Sequence, residues 1–444
     1  MNQTIAYIST TSSYLKEIID KKSLRIFAAD LILSNASTEL QIFYKILDSE
    51  KLSWLTHIPF IITNELGDIY LCKLKNALYE KENSIIEFYF INTQKKIYSK
   101  NDIIELDSLN RFRRDESDIL IQIITLDKEN IYINHIKNYS DDFLYFNPEL
   151  FRKIIEYSNE TEKESVTDLE SFFRKMIKLI NIENPDFNER FFRGHSSLTY
   201  RLEPSNFRFY NGKRVYLHNE DKLYRELIIN EPLPFNDDKN ALEILTRMQH
   251  FGLYTRLLDI TSNPLTALFF ACQNKHGEDG EVIIIRPNKK NIKYYDSDTV
   301  SCITNIAKLN INDKNSLTSF LLKKPFPNKL NYSLTSHKKF LHFIKEEKPY
   351  FQNLVKPSDL NRVICIKSKL NNKRILAQTG AFLLFGLKAK MNERSDSDYQ
   401  IHRIRIAGSA KSKILKDLDL ININLRTIYP TLENTAKYLQ DKYK

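Results

Sequence analysis

The chain reads as an α/β (α+β) protein built from two unequal units, and three observations predict this. The opening 150 or so residues carry strand and hairpin signals, whereas helical apolar spacing begins only later. Charge reverses along the chain. Residues 1–165 hold 20 basic and 26 acidic side chains, net −6, and the rest of the chain's 66 basic and 56 acidic residues leaves +16. Between the two halves runs an acidic, polar stretch, Tyr157–Ser165, with the composition of a linker. We therefore expect a strand-rich N-terminal domain over 1–156, a linker at 157–165, and a mixed domain with a central sheet flanked by helices over 166–444.

Taken in order, Ile58–Thr63 and Ile69–Lys75 flank a Gly67-containing turn and predict a hairpin. Ile85–Ile91 and Asp118–Leu126 read as further strands. This unit shows no catalytic spacing and is expected to sense, dock or oligomerise. Thr167 and Glu170 then form a T-x-x-E capping box that opens a helix, with Phe172, Met176 and Ile180 on its apolar face. Glu189–Arg193 predicts a short strand ending at Gly194. His218–Asn230 and Asn240–His250 predict helices. Asn263 as N-cap with Pro264 at the first helical position starts another helix through Gln273. Gly280 turns into a buried strand, Glu281–Arg286. Residues 287–360, rich in Lys and Asn, read as an insertion with some helix. Asn361–Lys367, Ala381–Phe385 and Ile401–Ile406 predict strands, and helices near Lys411–Leu418 and Pro430–Tyr443 close the chain.

A hydrophobic fraction of 42% over 444 residues supports a globular chain of roughly two to four domains. The four cysteines, Cys72, Cys272, Cys302 and Cys365, form no CxxC pair, which argues against a zinc knuckle or a disulfide framework and suits a reducing cytoplasm. No leader pattern opens the chain, and no run approaches the roughly 18 apolar residues of a membrane helix. A cytoplasmic, soluble protein is the expectation. Signatures of P-loop, zincin, Rossmann and G-x-S-x-G chemistry are absent.

The chemistry concentrates in Phe192-Arg193-Gly194 and in the string from Met248 to Asp259, where charged residues sit among apolar ones. A buried charge must be paired or used, because desolvating it alone costs several kcal/mol or more. The Arg193 fork suits a phosphate or carboxylate, with Gly194 letting a ligand approach the backbone; a structural pair with Asp259 or Glu226 is the alternative. Arg256 and Asp259 precede the Asn263-Pro264 helix start, whose amides would bind an anion. A self-contained Arg256–Asp259 lock is the competing account. His250 serves either as a general base or as a satisfied histidine at a helix end. The +16 half, and a strand bearing His402, Arg403 and Arg405, leave nucleic-acid binding open as well.

Phe191–Gly194, Leu202-Glu203-Pro204-Ser205 with Arg208, and Met248–Thr261 with Asn263-Pro264 together resemble the FRG domain of bacteria and phages. Gln378, Gly380 and Phe382 extend the resemblance, which covers roughly 166–444 without the insertion. His195, Tyr254 and Ile260 depart from the usual Gln, Pro and Trp. The resemblance implies a pocket using Arg193, Gly194, Ser205, Arg208, Arg256, Thr261 and Asn263 for a phosphorylated ligand, with Arg193, His250, Asp259 and Gln378 as candidate catalytic residues and no metal. It also implies an effector of bacterial antiphage, abortive-infection or toxin-like modules, with a phage component or partner protein sensed by the N-terminal unit. The layout is similar to that of ADP-ribosyltransferases, in which a first-strand Arg anchors NAD and a third motif positions the ribose. Carried over by position, Arg193 takes the first role and Gln378 the second. No E-x-E or Q-x-E stands there, which sets Glu-driven transfer in question.

Overall fold

The computed structural model describes the strands within residues 3–126 and residues 165–443, apart from 182–183, 209, 211–213, 324, 368–379 and 392–394. Residues 157–164 of the proposed linker, and Gln378, lie outside the described residues.

In the N-terminal part, strands β1 (Gln3–Thr10), β2 (Ser23–Phe27), β3 (Leu31–Ile32), β4 (Pro59–Asn64), β5 (Ile69–Glu80), β6 (Ile85–Tyr98) and β7 (Leu120–Leu126) form one sheet. Their order is β2-β6-β5-β4-β1-β7-β3. The hairpin expected around Gly67 is the antiparallel β4–β5 pair, Phe60 facing Cys72. Phe60 is fully buried and meets the Phe90 ring edge-on at 5.7 Å, a geometry favoured by the ring quadrupoles. β1, which pairs in parallel with β4, is an addition to the strands expected from the sequence.

The later part opens with α1 (Leu169–Ile180). Its cap is one residue beyond the expected Thr167–Glu170 box: the Asp168 carboxylate accepts from Ser171 N at 2.8 Å, and the Ser171 hydroxyl accepts from Asp168 N at 3.3 Å. Then follow β8 (Phe191–His195), α2 (Val215–His218), α3 (Glu220–Asn230), α4 (Ala241–His250), β9 (Leu257–Thr261), α5 (Pro264–Cys272), β10 (Gly280–Pro287) and β11 (Ile292–Tyr294). After these come α6 (Asp298–Asn305), α7 (Ile311–Leu321), α8 (Thr335–Glu347), β12 (Val363–Lys367), β13 (Gly380–Phe385), β14 (Tyr399–Ile406), α9 (Lys411–Leu420), α10 (Leu425–Ile428) and α11 (Leu432–Lys442).

The seven later strands form a second mixed sheet, ordered β11-β12-β13-β9-β8-β10-β14. Helices cover one face in two groups. Phe192, Val282, Ile284 and Ile404 pack under α1, α5 and α9. Leu257, Ile364, Phe382 and Leu384 pack under α3, α4 and α6 to α8. The residues read as an insertion thus supply much of one core: Ile303, Leu317, Phe340 and Ile344 are all buried there. The opposite face buries Phe191, Ile260, Ile283, Ile285, Leu383 and Phe385 against Leu202, Phe207 and Leu217 of the segment after β8.

The middle of this sheet is its weakest seam. β8 pairs with β10 over five residues, but with β9 only at Phe192 opposite Thr261. On either side of that seam the ladders are continuous, β13 pairing β9 over five residues.

Candidate functional site

Arg193 occupies the seam. It follows Phe192 on β8, so its side chain belongs to the face opposite the helices, in register with Ile283 of β10. Where backbone pairing with β9 stops, the guanidinium takes over: Nη1 donates to the Asp259 carbonyl at 2.6 Å. Nε donates to Nε2 of His195 at 3.1 Å. Nη2 has no hydrogen-bond partner among the described residues. Burial pushes the guanidinium down to about 10, Asp259 opposes that shift, and the Arg208 charge adds to it. Arg193 therefore stays cationic at neutral pH, with two of its nitrogens tied inward and one unclaimed.

Asp259 lies half-buried across the seam. Its carbonyl holds Arg193, while its carboxylate makes no hydrogen bond or ion pair among the described residues and faces Arg193 only through space. Neither expectation for Asp259 matches this geometry, since it does not lock Arg256 and meets Arg193 through the main chain.

Arg256 stands elsewhere. It is fully buried, Nε donating to Glu220 Oε1 at 2.9 Å and Nη2 to Oε2, with Nη1 on the Phe385 carbonyl at 2.9 Å. Lys314 Nζ and Asn206 Nδ2 reach the same carboxylate at 2.7 and 3.0 Å. Burial alone would raise Glu220, but Arg256 and Lys314 outweigh it and hold the carboxyl below its ordinary range. Fully buried, and with all three guanidinium nitrogens bonded inside the fold, Arg256 belongs to a structural ion cluster, and the geometry gives no support to the ligand role expected of it. Nothing in the sequence marked Glu220, 36 residues away on a helix that reads as amphipathic surface.

Gly194 has a packing reason too. A Cβ built there would lie 1.9 Å from Ala267 O and 2.6 Å from Ala271 N, so α5 crosses β8 in van der Waals contact with backbone. Access for a ligand is not what demands glycine here. At the start of α5, Asn263 Oδ1 accepts from Leu265 N at 2.9 Å and its carbonyl accepts from Ala267 N. Pro264 contributes no amide. The expected N-cap is present, but it consumes donors that the anion-site expectation required. Thr261 Oγ1 accepts from Asn263 N at 3.0 Å and supports the same turn.

Ser205 opens a short 3-10 turn beside the buried Asn206, while Arg208 is exposed with its charge felt at Arg193. Beyond it, the exposed Tyr254 and Tyr210 rings stand edge-on to Tyr216 at 4.7 and 5.0 Å. His250 ends α4 against the Phe251 ring at 5.2 Å. The preceding Gln249 accepts from the Thr255 hydroxyl. Thus Arg193 meets the Asp259 carbonyl and feels the Asp259 and Arg208 charges, while Arg256, Gly194, Thr261 and Asn263 each make close contacts within the fold.

Two residues outside the expected set join the site. His195 is 2% exposed, and its Nδ1 lies 3.2 Å from Glu281 Oε1, with Arg403 Nη1 at 2.5 Å from the same oxygen. Glu281 is the second residue of β10, whose every residue is buried; a carboxylate in such a strand was the available signal. Arg405 pairs with Asp279 at 2.6 Å, so both arginines expected to face nucleic acid are engaged by carboxylates of their own fold.

Cys272, Cys302 and Cys365 are free and buried, and burial pushes the first two thiols up to about 12, which leaves no thiolate for nucleophilic work. Among the described residues no group of His, Cys, Asp or Glu is placed to hold a metal ion. No helix among them is long and apolar enough to cross a membrane.

No curated protein and no solved structure matches the chain. Residues 188–280, from the approach to β8 through the first residue of β10, match the family model of the FRG domain. The segment contains Arg193, Asp259 and the turn into α5, so the seam of the sheet lies inside the matched part, and the chain is an FRG domain-containing protein.

Proposed function

We propose that the β8–β9 seam binds the phosphorylated part of a nucleotide, with NAD as cosubstrate and ADP-ribosyl transfer as the reaction. One observation carries this reading: Arg193 Nη2 and the Asp259 carboxylate both lack hydrogen-bond partners among the described residues and influence each other through their charges, where the guanidinium bridges the β8–β9 seam to the Asp259 carbonyl. A charged pair that the fold itself does not consume is a working-site candidate. The cationic Nη2 suits a diphosphate oxygen. In the similarity to ADP-ribosyltransferases, β8 corresponds to the first strand and β13 to the third; β13 is the neighbour of β9, and Gln378 precedes it by two residues.

In such a transfer an acceptor nucleophile forms a bond to the ribose C1′ as the bond to the nicotinamide nitrogen breaks. Nicotinamide leaves with the bonding pair, and the acceptor's proton passes to a base, for which Asp259 is our candidate. As biological setting we propose an effector of a bacterial defence or toxin-like module, with the N-terminal sheet as its sensing or docking unit. Nucleic-acid binding is less favoured because Arg403 and Arg405 are neutralised within the fold.

The test is incubation of the purified protein with NAD, following nicotinamide release and label transfer, beside labelled DNA and RNA. We expect NAD to be consumed and the nucleic acids to stay intact. Intact NAD with degraded or tightly bound nucleic acid reverses the reading.

A further inference from the structure

Arg193 is held in one orientation by a histidine that must be neutral. An arginine Nε–H can only donate, so Nε2 of His195, 3.1 Å away, must be the acceptor and carry no proton. The single proton of the neutral ring is then on Nδ1, directed at Glu281 Oε1 at 3.2 Å. Arg403 fixes that carboxylate from β14 at 2.5 Å, and the Tyr200 ring packs edge-on to the imidazole at 6.1 Å. On the far side, Lys411 of α9 donates to the Ser196 carbonyl at 2.7 Å and pins the chain just after His195. Arg193, Glu281 and Tyr200 thus contact the imidazole, and Arg403 reaches it through Glu281.

We propose that His195 and Glu281 are positioning residues of the Arg193 site: the neutral imidazole anchors Nε, which turns Nη2 toward the ligand, and protonation of the ring releases it. The inference rests on the proposed ligand role of Arg193, but its geometric half stands without any ligand. A proton added to Nε2 would oppose the Arg193 Nε–H, so the anchor fails as the ring becomes cationic. Imidazoles make that change between about pH 5 and pH 8. Glu281 sets the tautomer, since a carboxylate at Nδ1 keeps the proton there.

Two measurements test this. The first is 15N NMR of the histidine rings at about pH 8, with the His195 signals identified by their loss in His195→Gln. We expect a protonated Nδ1 and a bare Nε2 whose shift moves in Arg193→Lys; an Nε2–H tautomer, or a shift indifferent to Arg193, overturns the proposal. The second is NAD binding by calorimetry in wild type and in His195→Gln, whose amide oxygen can accept from Arg193 Nε but cannot be protonated. Wild type should lose affinity by about tenfold between about pH 8 and pH 5.5, and His195→Gln should stay nearly flat. Equal acid loss in both proteins, or none in wild type, overturns the positioning role. If wild type binds no NAD at either pH, the NAD reading falls, and the NMR result alone decides the role of His195.

Discussion

Gly194 and Ala267 approach so closely that a methyl group placed on the glycine would lie 1.9 Å from the alanine's carbonyl oxygen. The contact sets the depth at which α5 lies on β8, and with it the distance from the helix start to Asp259. Substitution Gly194→Ala should cost at least about 3 kcal/mol, because backbone rather than a flexible side chain would have to move. Urea unfolding measures this; a loss below about 1 kcal/mol would mean that α5 can shift at little cost.

The Glu220 cluster should govern acid stability. Its folded carboxyl titrates below the ordinary 4.5, so its stabilisation is fully present above that value and fades as pH falls through the lower folded one. Melting temperature between pH 7 and pH 3 should drop in wild type. Glu220→Gln should be less stable at pH 7 by about 3–5 kcal/mol, and its melting temperature should fall less steeply over the same range, since the substitution leaves Arg256 and Lys314 buried without their counter-charge.

Arg193→Lys probes function with less risk to folding. It keeps a cation but places all its donors on one nitrogen, so it loses the planar fork that spans His195 and the Asp259 carbonyl from separate nitrogens. With wild-type melting behaviour, NAD turnover should fall at least about a hundredfold; full turnover in a folded Arg193→Lys protein would show the fork to be dispensable. Asp259→Asn, whose carboxylate bears no hydrogen bond among the described residues, should leave stability within about 1 kcal/mol while removing turnover.

Domain organisation is open to limited proteolysis. Cleavage near residues 155–166 should leave two stable fragments, the later one starting close to the Asp168 cap of α1. Resistance there, or loss of the later fragment's stability on release, would show that the two parts fold as one.

How far the sequence carried depends on the range of each signal. The Asn263-Pro264 helix start was legible because cap and helix are neighbours in the chain. The α1 cap slipped by one residue because Thr167 and Asp168 are both good caps and only the structure chooses. Residues 287–360 read as an insertion because Lys and Asn mask Ile303, Leu317, Phe340 and Ile344 at the buried positions. At the site, Arg193 and Asp259 stood out as charges amid apolar residues. Glu220 did not, because a carboxylate's partner 36 residues away leaves no local trace; Glu281 was marked only by being a carboxylate in a buried strand, which does not reveal a partner 86 residues away.

The ion cluster also bears on what can be inherited as a piece. Glu220 and Arg256 lie within 188–280, but Lys314 and the Phe385 carbonyl that complete their bonding do not. Phe385 N returns a bond to Arg256 O at 3.1 Å, so the two stretches are stitched in both directions. Transplanted alone, the recognisable segment would carry β8 and β9 without the flanking strands β13 and β14, and its carboxylate would meet one cation where the native fold supplies two. Recombination that conserves this domain must therefore move the helical layer and the last strands along with it, although both extend beyond the matched residues.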